Sequence, residues 1–173
     1  MTVASLRDES LKDGAESGGY SPDHDRPLGG YLVLMSVYAT GCTAFVRWIR
    51  RSHRQLPAQV GTRDLVLLSI ATHKAARLAA KDRVASTLRA PFTRYEADAG
   101  PGEVTEEARG RGLRRAVGEL VTCPSCIGMW IATGFVGALA VAPRPTRWTA
   151  SILTVLTGAD ALQIGYARAE RLL

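Results

Sequence analysis

Charge disappears from two long stretches of the chain and nearly disappears from a third, and these blocks set the predicted elements. No residue between Arg26 and Arg47 is charged. Residues 28–46, LGGYLVLMSVYATGCTAFV, would extend about 28 Å as a helix, close to the roughly 30 Å of a hydrocarbon core. Tyr31 and Trp48 stand near the two ends, where interfacial aromatics belong, and Arg47, Arg50, Arg51 and Arg54 with His53 follow at once. That pattern predicts a first transmembrane helix over 27–47 with a cytoplasmic basic end. Residues 1–26 carry six acids and three bases with scattered glycine, and predict a flexible acidic tail.

A second helix is predicted over 62–82, with Thr62 or Asp64 as its cap. Only residues 65–72 are free of charge, too few to span. His73, Lys74, Arg77 and Lys81 then recur three and four apart, opposite Ala71, Ala75, Leu78 and Ala79. Such a helix lies in the membrane interface or dips in partway, its cations toward lipid phosphates. The plainer reading is a packed helix with one solvated face. Pro91, Gly100, Pro101, Gly102, Gly110 and Gly112 break residues 83–119 into a basic cytoplasmic loop ending in Arg109, Arg111, Arg114 and Arg115. Residues 120–167 predict a helical hairpin. Pro124 suits a first helical position, residues 124–142 are long enough to cross, and the prolines of PRPTR mark a turn. Residues 148–167 contain one charge, Asp160, and form the third predicted span. The expectation is therefore an all-α small integral membrane protein, with three spanning helices plus an interfacial or re-entrant amphipathic helix.

Composition changes the picture only in detail. Of 173 residues 46% are hydrophobic, yet the mean hydropathy is +0.00, an average over apolar blocks and a polar remainder. A disordered chain would lack the apolar residues, and three Cys are too few for a disulfide scaffold. The net charge is +6, and residues 47–119 hold 15 of the 22 Lys and Arg residues. With three spans and the N-terminus outside, that segment lies in the cytoplasm and satisfies the positive-inside rule. If 65–80 also crossed, Lys74 and Arg77 would be buried, which favours three spans. The expected location is the inner (cytoplasmic) membrane, multi-pass. The partners are the lipid bilayer and anionic headgroups, with a homo-oligomer or membrane-protein partner served by small residues such as Gly128, Ala132, Ala150 and Gly158. An RNA-binding arginine segment at ARGRGLRR is less economical, because its bases adjoin apolar blocks.

The candidate chemistry is sparse. Cys123 and Cys126 form a C-x-x-C at a helix start, a position that favours the thiolate. Three readings compete: a redox dithiol with Cys123 the more exposed nucleophile and Arg77 or His73 stabilising it; half of a zinc site completed by His73, His53 or a second subunit; and two small residues packing a helix start. Asp160 is the one ionisable residue well inside a predicted span, so it requires a partner among Lys74, Arg77 and His73, and a tie between helices is favoured over a proton relay. Gly110 and Gly112 do not form a phosphate loop, since no strand precedes them and no Lys-Ser/Thr follows. YATGC around Cys42 misses the lipoprotein pattern, with Ala39 where a Leu-like residue belongs.

Ordered motifs are more specific than any single residue: Thr72-x-Lys74-x-x-Arg77, then Leu88-Arg89-Ala90-Pro91-Phe92, then Gly118-Glu119-Leu120 leading to Cys123-Pro-x-Cys126 and Trp130, followed by PRPTR. Over about residues 62–167 this set resembles a bacterial family of small membrane proteins catalogued as domain-of-unknown-function family 1360. Residues 48–173 are thus identified as a family-like membrane domain, to which the tail and first span look like an addition. The resemblance implies membrane embedding and one cytoplasmic-side cluster of the motif residues, and it implies no activity. The expected function is a non-enzymatic scaffold or interaction protein with a basic cytoplasmic face. The alternative is a membrane thiol-disulfide oxidoreductase or metal-binding protein using Cys123 and Cys126.

Overall fold

A computed structural model describes residues 26–52, 56 and 59–172; the predicted tail before Arg26 and the residues His53 and Arg54 of the basic cluster lie outside the described residues. The elements run α1 (Leu28–Arg51), α2 (Thr62–Lys81), α3 (Ser86–Arg89), β1 (Thr93–Gly100), β2 (Glu103–Ala108), α4 (Gly112–Thr122), α5 (Pro124–Val141) and α6 (Pro143–Glu170).

Helix α2 is the centre of the bundle, not a surface helix. It packs against both α5 and α6, burying Leu68, Ala71, Ala76 and Ala80. Leu68 and Ala71 join Leu139 of α5 and Ala150 of α6 in the core, with Leu67, Phe135 and Leu153 against them. The alanines are what let three helix axes approach. Helix α6 runs alongside α2 in the same direction: Arg147 pairs with Asp64, the Thr154 hydroxyl donates to the Leu67 carbonyl at 3.4 Å, and Lys74 pairs with Asp160. Helix α5 runs the opposite way.

Helix α1 lies parallel to α5. Its start, at Tyr31, meets Glu119 just before α5; Tyr38 stacks edge-on against Trp130 at 5.1 Å; Phe45 faces Gly137. Gly30 seats that start on α4, because a Cβ there would stand 2.7 Å from the Cβ of Ala116. One end of the bundle therefore carries Arg26, the strands and the start of α5. The other carries Arg47, Arg50 and Arg51 with the α5–α6 junction. The expected placement of residues 47–119 on one side is corrected accordingly, since α2 runs from one end to the other.

Two expectations about fold class are overturned. The chain is not all-α: β1 and β2 pair antiparallel, with Thr93 opposite Ala108, Tyr95 opposite Glu106 and Asp98 opposite Val104. Thr93, Tyr95, Val104 and Thr105 supply strand-favouring side chains. Gly100 and Gly102, with φ of 148° and 75°, make the reversal that reads in sequence as a broken loop. Nor are there three candidate spans. Among the described residues two helices are long and apolar enough to cross a membrane, α1 and α5. Helix α6 is 28 residues long, but its apolar run is interrupted by Asp160, Gln163 and several hydroxyl residues. Pro143 and Pro145 open its first turn, where prolines are tolerated, so PRPTR belongs to the helix.

Candidate functional site

The strands are held to the bundle end by one buried ion pair. Arg89, in the short helix α3, donates through Nε to Glu106 Oε2 at 2.9 Å and through Nη2 to Oε1 at 3.1 Å. The same guanidinium donates to the carbonyls of Ala79 at 2.8 Å and Asp82 at 2.9 Å, which end α2. The two side chains are 3% and 4% exposed. Ser86 and Thr93 hydroxyls also donate to Glu106, at 2.5 and 2.8 Å. Burial pushes the Glu106 carboxyl up, but the hydrogen bonds from Arg89, Ser86 and Thr93 outweigh it and hold the group below its ordinary range. A planar five-donor group is the side chain that can tie a helix end to a strand in this way.

Around this pair the end of the bundle forms a platform. Arg77 of α2 forks onto Glu103 of β2, with Nη2 2.5 Å from Oε1. The Pro91 carbonyl accepts from the Arg114 guanidinium at 2.7 and 2.9 Å and from Arg109 at 3.4 Å. Helix α4 lies directly on the strand base at Gly118, where a Cβ would stand 2.5 Å from the Phe92 carbonyl oxygen. Arg83, Arg94, Arg109, Arg111 and Arg114 are exposed there against exposed Glu96, Asp98 and Glu107, so the outer face of the platform is basic on balance.

Beside the platform a cleft of about 610 Å³ opens between α1, α4 and the start of α5. Leu34, Met35, Leu120, Met129 and Trp130 give it an apolar wall; Arg26, Glu119, Cys123 and Cys126 form its polar end. The Tyr31 hydroxyl donates to Glu119, which also accepts from Arg115 Nε at 3.1 Å. Cys123 and Cys126 are joined as a disulfide, their Cα atoms 5.2 Å apart. Cys123 caps α5, its Sγ accepting from the Cys126 amide at 3.3 Å. Cys126, not Cys123, is the more exposed of the two.

The predicted motif residues do not gather at one point. Lys74 donates to Asp160 at 2.5 Å, with Lys74 mostly buried and Asp160 half-exposed; Arg77 and Arg89 serve the strands. Pro91 and Phe92 present backbone carbonyls to α4 and its arginines, Glu119 and Trp130 line the cleft, and Thr72 is half-buried on α2. Arg77 is engaged by Glu103 and His73 is exposed, so neither sits with the cysteines as anticipated. Among the described residues no group of three or more His, Cys, Asp or Glu is placed to hold a metal. Glu103, Glu106 and Tyr38 escaped sequence reasoning. The usable signal was the acid spacing on a strand-like EVTEEA run following Arg89.

Comparison with known proteins fits the motif set. Residues 67–166 match the family described as "Protein of unknown function (DUF1360)". A relative, "Sporulation protein YjcA" of Bacillus subtilis (strain 168), is 35% identical over 94 residues, 53% of this chain and 80% of the relative. No solved structure matches. The match covers α2 to most of α6, the segment that holds Arg89, the cysteine pair and the Lys74–Asp160 tie, and leaves α1 outside; the chain belongs to the DUF1360 family.

Proposed function

We propose that the protein is a multi-pass integral membrane scaffold, anchored by α1 and α5, that presents the strand platform as a non-catalytic basic docking face in the cytoplasm. The observation that carries this reading is the exposure of the anchors: only 6% of each apolar 18-residue window is buried within the protein. An apolar surface of that size requires lipid or protein around it. The platform end holds the larger share of the bases, with eight Lys and Arg between residues 81 and 115, so the positive-inside rule assigns it to the cytoplasm. Arg94, Arg111 and Arg114 there suit anionic headgroups or an acidic partner segment. The name of the Bacillus relative makes sporulation the setting in which such partners are sought. Carbonate washing of lysed cells tests the reading: the protein stays with the membrane pellet until detergent is added, and its release by carbonate overturns the proposal.

A second reading rests on the cysteine pair at the mouth of the cleft. In it, an external dithiol attacks exposed Cys126 Sγ, passing two electrons and two protons to the disulfide and leaving as a disulfide itself. Thiol trapping in growing cells checks this. A Cys123–Cys126 pair that shifts between oxidised and reduced states supports exchange, and one that stays in a single state while Cys123→Ser cells behave normally removes it.

A further inference from the structure

The arginines at the base of the strands hold more positive charge than the fold neutralises. Arg109, Arg111, Arg114 and Arg115 fall within seven residues that contain no acid. Glu119 takes Arg115, and Glu107 stands opposite Arg94 in the strand register. Arg109, Arg111 and Arg114 are exposed and make no ion pair among the described residues. Arg109 and Arg114 donate to the Pro91 carbonyl, a neutral acceptor that leaves their charge uncompensated.

The chain enters the fold beside this cluster. Helix α1 begins at Leu28, and the Cβ that Gly30 lacks would stand 2.9 Å from the Gly112 carbonyl oxygen. No more than about 14 Å of chain separates Gly30 from Arg26. Residues 13–25, DGAESGGYSPDHD, carry Asp13, Glu16, Asp23 and Asp25 and no Lys or Arg. Asp23 is held within about 11 Å of Arg26, and Glu16 within about 36 Å. The other basic group, Arg47, Arg50 and Arg51, is set apart at the far end of α1, roughly 30 Å along its axis.

We infer that residues 13–25 lie over Arg109, Arg111 and Arg114 as a tethered acidic cover. Four acids there face three uncompensated cations. Tethering gives the segment a roughly millimolar effective concentration at the cluster, so pairs that are each weak when exposed add to a favoured contact. An anionic headgroup or an acidic partner reaches these arginines by displacing the tail, and the docking face thus carries its own competitor. The inference rests on the proposed function only in taking these arginines as that face; the contact itself needs neither membrane nor partner.

A photoreactive benzophenone side chain in place of Tyr20, between Glu16 and Asp23, tests the cover in the detergent-solubilised full chain. Illumination at low salt should join position 20 to residues 109–115 of the same chain, read by mass spectrometry of the monomer. Asp13→Asn, Glu16→Gln, Asp23→Asn and Asp25→Asn together should cut that capture by about threefold or more, the sum of several exposed pairs. Salt at about 1 M should do the same, because the Debye length falls to about 3 Å. Arg109→Gln with Arg111→Gln, at exposed positions, should weaken it likewise. Capture that is equal in the four-acid variant, or that falls in the cleft between α1 and α5 or on α6 instead, overturns the cover. Capture at 109–115 in a protein that carbonate releases would sink the membrane reading and spare the cover, whereas carbonate-resistant protein without that capture would do the reverse.

Discussion

Replacing Arg89 by alanine should release the strands from the bundle. The guanidinium makes five hydrogen bonds, two to Glu106, two to the carbonyls of Ala79 and Asp82, and one to Ser86 Oγ at 3.1 Å. Removing it strands a carboxylate that is 4% exposed and two helix-end carbonyls. Breaking one side of a buried pair costs about 3–5 kcal/mol. A two-stranded hairpin is marginal on its own, so the loss falls on the local opening of β1 and β2. At about 1.4 kcal/mol per factor of ten, the open population rises by roughly two to four orders of magnitude. Hydrogen exchange of peptides covering residues 93–108 in detergent reads this directly, with α5 peptides as the internal reference. Arg83→Ala is the control, because Arg83 and its partner Asp98 are both well exposed and their contact contributes little. The same network fixes a pH dependence. Glu106 is held below its ordinary value of 4.5, so its contribution is complete above that pH and is lost as pH falls through the lowered folded value. Protection of the strands, corrected for intrinsic exchange, should therefore fall on acidification below about 4.5 in the wild type. Strand exchange that is unchanged in Arg89→Ala would refute the role assigned to the pair.

Further outcomes follow from single contacts. Gly118→Ala places a Cβ 2.5 Å from the Phe92 carbonyl oxygen, an overpacking cost of about 1–3 kcal/mol or more, whereas Gly128→Ala meets only Ala76 at 3.9 Å. The first should lower the Tm and the second should leave it level or raise it; equal Tm changes in scanning calorimetry would contradict the close approach of α4 to the strands. For the α2–α6 tie, Lys74→Glu should lower the Tm, and adding Asp160→Lys should restore most of it. Because Lys74 is mostly buried while Asp160 is half-exposed, the reversal costs more than the roughly 1 kcal/mol of an exposed pair, a drop of at least about 2–4 °C for a chain of this size. No rescue in the double variant would mean that the ion pair does not couple the helices.

How much of this was legible depends on how strongly each segment buries or exposes a periodic face. Residues 28–46 and 124–142 were readable because absence of charge over a spanning length needs no partner to interpret; the helices found are Leu28–Arg51 and Pro124–Val141. The 62–82 helix was readable from its alanine face, but not its place at the centre of the bundle, which depends on acids distant in sequence. Lys74 and Arg77 look like a lipid-facing basic stripe until Asp160 and Glu103 neutralise them. The strands were hidden because β1 buries Thr93 and nothing else, so no alternation of apolar residues marks them. The third span failed for the opposite reason. A long apolar run is visible, but Thr154 and Asp160 within it turn to α2, and the prolines that predict a turn start the helix. At the candidate site, Cys123, Cys126, Arg89 and Glu119 could be picked out by motif, whereas the α1 residues that line the cleft are joined to them only in three dimensions.

Side-specific thiol labelling tests the parallel anchoring by α1 and α5 most directly. Single cysteines at Arg50, Asp98 and Pro145, in a chain whose Cys42, Cys123 and Cys126 are replaced by Ser, report in intact cells and in inverted vesicles which face of the membrane each occupies. The proposed membrane reading puts Arg50 and Pro145 on one face and Asp98, on the strand platform, on the other, cytoplasmic face. Labelling of Asp98→Cys and Pro145→Cys from the same face would contradict it.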